Sequence, residues 1–343
     1  MHLSILDQSM IPEGSTPTQA LHHTLDLARA ADALGYHRYW LAEHHATPSF
    51  ASPAPEVMVA RLSGETSGIR IGSGGVLLPY YSPFKVAETF RVLQALAPGR
   101  VDLGIGRGAG ASSRDARLLN PHLYTSSDAA FGEQVDAVRA FLGAAGDQGG
   151  IMPSVDDTPQ VWLLGASPPS AALAGRLGLP YSFAHFGRPE LVTEAVQTYR
   201  RHFDPRTGGT PRVMVGIGVY CAPTRAEAEH VFASQRLFRH RMSRGDLRPV
   251  PPAEVALAQL PGLGEDLLTE RTEWPRYLVD SPDEVARQLT AMSEAVGVDE
   301  FVVLSTIHDH RARVRSYALL AQACGLRPRD VPRRSALATL QPT

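Results

Sequence analysis

Short apolar runs alternate with longer amphipathic stretches along most of the chain. Eight of the short runs read as strands: His2–Asp7, Arg38–Glu43, Ile69–Leu77, Val101–Ile105, Val161–Leu164, Tyr181–Ala184, Val213–Cys221 and Glu300–Ser305. Their length and β-branched content suit buried strands. Between them the apolar spacing is helical. Leu21, Leu25, Ala28 and Ala31 share a face, and Gly35 suits the left-handed position past a helix end. Ser82 and Pro83 stand at the N-cap and first-turn positions of a helix that places Val86, Phe90 and Leu93 together. A last helix, Arg311 to Cys324, carries Val314, Ala318 and Ala321 on one side. Strands alternating with helices predict a parallel sheet with right-handed crossovers. Eight such units predict an α/β fold closed into a (β/α)8 TIM barrel.

Two stretches break the rhythm. Gly108 to Ser127 reads as a long polar loop after the fourth strand. Ser243 to Pro282, rich in Pro and Gly, reads as an insertion between the seventh and eighth strands. Long loops in a barrel are usually functional. Leu257, Leu260, Leu263, Leu267 and Leu268 give this insertion an apolar side, so it is expected to act as a lid that shapes a substrate pocket, the alternative being an insertion that packs on the barrel rim or on a second subunit. The expected domain plan is one barrel domain over 1–326, with the insertion at about 243–282 and a tail at 327–343. The tail is expected to be loosely held or packed on a second subunit.

Charge and cysteine content narrow the function. With 33 basic and 35 acidic residues there is no electrostatic footprint for nucleic acid or an anionic membrane. No apolar run reaches membrane-spanning length, and the start lacks the pattern of a signal peptide. Cys221 and Cys324 lie far apart, which suits a reducing, cytoplasmic setting rather than a disulfide scaffold or zinc knuckle.

Four segments at predicted strand ends could carry chemistry, and barrel active sites lie at the C-terminal ends of strands. The first is Glu43-His44-His45. Neighbouring residues of an extended segment face opposite ways, so the two histidines are not expected to share a metal ion. One of them can face the mouth and trade protons; both could instead be hydrogen-bonded structural residues. The second is Gly72-Ser73-Gly74-Gly75, where missing side chains let a flat group approach the backbone, or simply allow a turn. The third, Gly104-Ile105-Gly106-Arg107-Gly108-Ala109, matches a dinucleotide fingerprint formally. That reading fails because no helix is expected to begin at once behind it. An arginine held for a phosphate, or a plain surface arginine, remains. The fourth is Gly165-Ala166-Ser167-Pro168-Pro169-Ser170, an anion site at a helix N-terminus or ordinary capping.

The order and spacing of these segments resemble the bacterial-luciferase-like flavin-dependent monooxygenases. So do Gly99-Arg100-Val101-Asp102-Leu103-Gly104 and the late Asp299-Glu300-Phe301, Ile307-His308-Asp309-His310 and Arg315-Ser316-Tyr317. The resemblance covers nearly the whole chain and is closest to the subgroup that includes polyketide-tailoring members. It implies a homodimeric barrel that takes reduced FMN from a separate flavin reductase, uses O2 as co-substrate, and oxygenates a small organic, polyketide-type molecule. It further implies His44 as the catalytic histidine, Glu43 as its acidic neighbour, and Gly74-Gly75 as a cis peptide beneath the flavin ring. Arg107, with Gly106 beside it, would pair with the FMN phosphate, and Ser167 and Ser170 would form a second phosphate-binding segment. No metal is implied. The chain has Gly106 and Ala166 where bacterial luciferase has a cysteine and an acid, so light emission is not implied. Two other activities fit the same barrel: hydride transfer with coenzyme F420, and flavin binding without catalysis.

Overall fold

The computed structural model describes residues 1–108, 112–121, 128–143, 151–207, 209–262 and 272–330. Nine parallel strands run through them. They are β1 (His2–Asp7), β2 (Arg38–Leu41), β3 (Arg70–Leu77), β4 (Val101–Gly106), β5 (Gln160–Gly165), β6 (Tyr181–Phe183), β7 (Val213–Cys221), β8 (Tyr277–Asp280) and β9 (Glu300–Leu304). β1 to β7 and β9 close into an eight-stranded barrel, since β6 pairs with β7 and β9 pairs with both β7 and β1. The (β/α)8 reading therefore holds. The helices are α1 (Pro17–Leu34), α2 (Pro55–Ser63), α3 (Pro83–Leu96), α4 (Ser113–Leu119), α5 (Asp128–Gly143), α6 (Pro168–Arg176), α7 (Val192–His202), α8 (Arg225–Ser243), α9 (Ala253–Gln259), α10 (Pro282–Val296) and α11 (His310–Ala323).

The period of two along each strand sorts side chains into two cores. Leu3, Ile5, Tyr39, Leu41, Leu103, Ile105, Phe301 and Val303 point outward and pack beneath the helices. Leu6, Trp40, Ala42, Trp162, Met214, Val302 and Leu304 point inward and fill the barrel. At the N-terminal ends of the strands the interior turns ionic. Arg38 Nη1 lies 2.7 Å from Asp102 and its Nε 2.7 Å from Glu300. Asp102 also accepts from Trp40 Nε1 at 2.9 Å, and Ser4 donates to Glu300 at 2.6 Å.

Local signals behave as their chemistry requires. Thr16 and Gln19 form a reciprocal capping box at the start of α1, and Gly35 ends it at φ +91°. Ser82 occupies the N-cap position of α3 without a side-chain cap bond, leaving Pro83 to set the first turn. The start of the tail is held: Arg329 N–H donates to the Ala33 carbonyl at 3.0 Å. Residues 331–343 lie outside the described residues.

Three expectations need correction. β2 stops at Leu41, so Glu43, His44 and His45 belong to the loop beyond it. The stretch expected as a polar loop after β4 contains α4, capped by Ser112. α4 starts seven residues past Gly106, so no helix N-terminus follows the glycines at once. The third correction is the largest. α10 packs against α7 and α11 and so fills the place in the helical ring that follows β7, whereas α8 packs on α9, β7 and β8. The excursion from the barrel therefore starts at Ala222 and includes α8. It also holds β8, paired with Gly218–Cys221 of β7. Strand β6 is only three residues long and covers Val213–Val215, which leaves the far half of β7 open to a second partner.

Candidate active site at the barrel mouth

A cavity of about 940 Å³ opens over the C-terminal ends of β1 to β6 and runs outward between α5 and α6. Its volume lies near the top of the usual range for small-molecule and cofactor sites, roughly 300–1,000 Å³. All eight residues singled out from the sequence, Glu43, His44, Gly74, Gly75, Gly106, Arg107, Ser167 and Ser170, line it.

The glycine pair forms its inner wall, and the Gly74–Gly75 peptide is cis. Side chains could not replace it. A Cβ on Gly74 would lie 2.7 Å from Leu6 Cδ1 and 3.0 Å from Trp40 Cβ, and one on Gly75 would lie 2.6 Å from the Gly104 carbonyl. The filled barrel interior presses up from below, so a bare backbone surface faces the cavity.

Glu43 and the two histidines divide their tasks. The buried Glu43 carboxylate accepts from Leu77 N–H at 3.0 Å, Tyr81 hydroxyl at 2.9 Å and His45 Nε2 at 2.6 Å. Burial raises its pKa, while these three donors pull it back down. The group clamps the β2 loop to the end of β3. His45 is thereby turned to Glu43 and is absent from the cavity lining. His44 lines the cavity, its ring tilted 30° over Phe50 with centroids 4.3 Å apart. Its Nδ1 is buried and has no hydrogen-bond partner. Burial, with a smaller push from His45, lowers its pKa to about 4, so the ring is neutral at neutral pH.

Arg107 and the Ser167 segment stand at adjacent strand ends, because β4 and β5 pair in parallel. Arg107 is exposed at the rim. Ser167 is the N-cap of α6, with Pro168 in the first turn. The Ser170 hydroxyl is turned away from the open end: it donates to the Ser167 carbonyl at 2.7 Å and meets the Tyr181 hydroxyl at 2.8 Å. That geometry is a helix cap. The mouth thus fits a flat group carrying an anionic tail: a side-chain-free wall, one unpartnered ring nitrogen, and a cation beside a helix N-terminus.

Sequence reasoning missed Tyr81, Phe50, Phe186 and Arg176. Tyr81 could have been found, as it follows the Leu-Pro at the end of β3 and brings a hydroxyl to the same strand end as Glu43. Phe50, Phe186 and Arg176 reach the site only through tertiary packing. No described residue of 243–282 lines the cavity. Leu260 packs on Ala233, Leu237 and Ala256 instead, and Leu263, Leu267 and Leu268 lie outside the described residues. No described helix is long and apolar enough to cross a membrane.

A closed parallel barrel with a deep cavity over its strand ends is the build of a barrel enzyme. The chain belongs to the luciferase-like monooxygenases, an oxidoreductase family whose sequence profile matches residues 1–318. It is similar to apo-MsnO8, whose crystal structure is 49% identical, covers 96% of this chain and 99% of that one, and superposes with a TM-score of 0.91. A luciferase-like monooxygenase of Escherichia coli K12 is 36% identical over 92% of this chain and 95% of its own. The N-acetyl-S-alkylcysteine monooxygenase of Bacillus subtilis is 35% identical over 94% and 98%.

Proposed function

We propose that the chain is the oxygenase component of a two-component system, taking reduced FMN from a separate reductase and inserting one atom of O2 into a small organic, polyketide-type substrate. The observation that carries this reading is the single cavity that gathers a glycine wall, the unpartnered Nδ1 of His44, and Arg107 beside the N-terminus of α6. Bound reduced FMN would supply the electrons for O2 activation. The protein's own residues would do the rest. Gly74 and Gly75 would let the ring lie against the backbone. Arg107 and Ser167 would hold the phosphate, with Gly106 leaving space beside them. His44, neutral and shielded, would accept a proton at Nδ1 and return it. Glu43 would keep His44 in place through the β2 loop and is a positioning residue. Leu6, Ala42, Leu77 and Phe186 would exclude water from the reacting atoms. Of the relatives named above, one is an N-acetyl-S-alkylcysteine monooxygenase and one is named only as a luciferase-like monooxygenase, and this chain is read as acting on a small organic molecule in the same way. A cytoplasmic homodimer completes the proposal.

The test mixes the protein and reduced FMN rapidly with 18O-labelled O2 in the presence of an apolar, ring-containing substrate. Label in the product together with a rate of flavin reoxidation set by the protein supports the reading. Turnover of the same substrate with reduced F420 in the absence of O2 would replace it with hydride transfer. Tight flavin binding with no product from any substrate would leave a flavin carrier.

A further inference from the structure

The excursion from Ala222 to Ser281 contributes no described residue to the cavity wall, yet it is bound to the segment that carries His44. Its strap at 247–250 crosses the loops after β1 and β2. Ser49 Oγ donates to the Leu247 carbonyl at 2.5 Å. Val250 N–H donates to the Ile11 carbonyl at 2.9 Å, Glu13 N–H to the Val250 carbonyl at 2.7 Å, and Ile11 N–H to the Ser49 carbonyl at 2.8 Å. Met10 and Phe50 form an antiparallel bridge. Side chains follow the same route. Phe50, 8% exposed, packs with Met10, Phe238 and Val250, and its other face meets the His44 ring. Two non-glycine residues in these loops, Ser9 and Ala46, hold φ of +49° and +48°. Such backbone persists where the surroundings over-determine it.

We propose that Phe50 is the positioning residue of His44, and that the excursion acts on the active site by holding Phe50 through Ser49 and the 247–250 strap. The inference rests on the reading of His44 as the proton-handling group. A second tie between excursion and site exists, from Arg276 Nη1 to the carbonyls of Phe186 and Gly187 at 2.7 Å, and these two bonds hold the backbone of the loop after β6. The groups that face His44 are few. His45 and Glu43, from its own segment, engage each other. Met10 and Phe50 are apolar. The charges of the strap, Asp246 and Arg248, are paired at 2.7 Å. Loss of the Phe50 ring therefore changes the burial of His44 more than its charge surroundings.

The experiment follows His44 by NMR of ring-15N-histidine protein without flavin, with His44→Gln assigning its signal, alongside steady-state turnover. Wild-type His44 is expected to titrate near 4. Phe50→Ala is expected to move that value up by about one unit or more toward the ordinary histidine range. It should also lower kcat about tenfold or more while KM for reduced flavin stays within about twofold. Phe50→Leu, which keeps apolar cover, is expected to restore most of both. Ser49→Ala is expected to shift both in the same direction by less. A folded Phe50→Ala protein with an unmoved His44 titration and unchanged kcat overturns the proposal. If Phe50→Ala does not fold, an unmoved titration in Ser49→Ala overturns it. The titration is read without cofactor, so it stands or falls independently of whether the chain oxygenates a substrate.

Discussion

Both ends of the barrel bury polar side chains, but they treat them differently. At the floor, Arg38 is 0% exposed and meets Asp102 and Glu300 at 2.7 Å each, with Trp40 and Ser4 adding donors to the same carboxylates. Its guanidinium also lies 4.7 Å from the centre of the Trp162 ring. Charge is matched where it sits, although Arg38 Nη2 has no hydrogen-bond partner of its own. At the mouth, Glu43 is matched in the same way, and His44 beside it is not. A buried polar atom without a partner costs stability unless something else completes it. The difference lies in the setting: the unpartnered floor atom belongs to a cation already held by two carboxylates, and that of His44 belongs to a neutral ring that lines the cavity.

The largest expected effect tests the floor. Arg38→Ala would leave buried Glu300 without its cation, while Asp102 keeps Arg70 at 2.6 Å, and breaking a buried pair this way typically costs about 3–5 kcal/mol. Denaturant unfolding measures it. A loss under about 1 kcal/mol would mean that the network is hydrated and the contrast false. The mouth should respond in the opposite currency. His44→Ala is expected to slow turnover roughly 100- to 10,000-fold with little change in stability. His45→Ala removes a donor from buried Glu43 and should cost about 1–3 kcal/mol of stability instead. Greater catalytic damage from His45→Ala in a folded protein would reverse the two assignments.

Acid should expose the unprotonated histidines next. His185 is 0% exposed, its Nε2 donates to the Pro275 carbonyl at 2.9 Å, and burial lowers its pKa to about 4. His44 shares that direction and value. A folded pKa below the unfolded value of about 6.5 means that the unfolded chain takes up protons first as pH falls. The stability from these neutral rings is fully present above pH 6.5 and drains away toward pH 4. A depression of that size corresponds to roughly 3 kcal/mol for His185 alone. Unfolding midpoints measured across that interval are expected to fall for the wild type. His185→Gln should flatten part of the slope, and an unchanged slope would remove His185 from the account.

The barrel was legible because its signal is repeated: the apolar strand–helix alternation recurs around the ring, and an error in one unit changes little. β8 was not legible. Tyr277–Asp280 sits among prolines, is four residues long, and gains its meaning from the short β6 that leaves β7 uncovered. The place of α8 outside the ring is decided by α10 packing between α7 and α11, which a single helix's apolar face does not encode. The same limit applies at the site. The glycine pair and the Glu-His-His segment could be read because their spacing is unusual. The split of labour between His44 and His45 depends on the chain leaving β2 at Leu41, and the role of Phe50 depends on the 247–250 strap, nearly two hundred residues away.

Arg107 offers a smaller effect at the open side. Arg107→Ala is expected to weaken FMN binding by about 1.5–3 kcal/mol, the usual net worth of a charge-assisted hydrogen bond, and to leave riboflavin binding nearly unchanged. Flavin titrations by fluorescence give both numbers. Equal losses for the two flavins would place the phosphate elsewhere along the cavity, with Arg176 the next candidate because it lines the α5–α6 end.

The smallest effect divides two serines that the sequence could not tell apart. Ser170 Oγ is engaged on all sides: it donates to the Ser167 carbonyl at 2.7 Å and meets the Ser167 N–H at 3.3 Å and the Tyr181 hydroxyl at 2.8 Å. Burial raises the Tyr181 pKa to about 12, so that hydroxyl keeps its proton and can serve as the donor. A phosphate could draw on Ser170 only by breaking the start of α6. The Ser167 hydroxyl caps the Ser170 N–H and otherwise makes one long contact, 3.3 Å to Ser170 Oγ, so its proton can turn toward an anion. Ser170→Ala is therefore expected to lower stability by about 1 kcal/mol, as loss of a capping hydroxyl does, with FMN affinity within about twofold. Ser167→Ala is expected to weaken FMN binding about fivefold, near the net value of one hydrogen bond, and to leave riboflavin unaffected. Thermal unfolding and flavin titration of the two variants separate the roles. If Ser170→Ala is the one that loses FMN while its melting temperature stays put, the hydroxyl leaves its cap when the phosphate arrives, and the helix start belongs to the open side of the mouth rather than to its fixed frame.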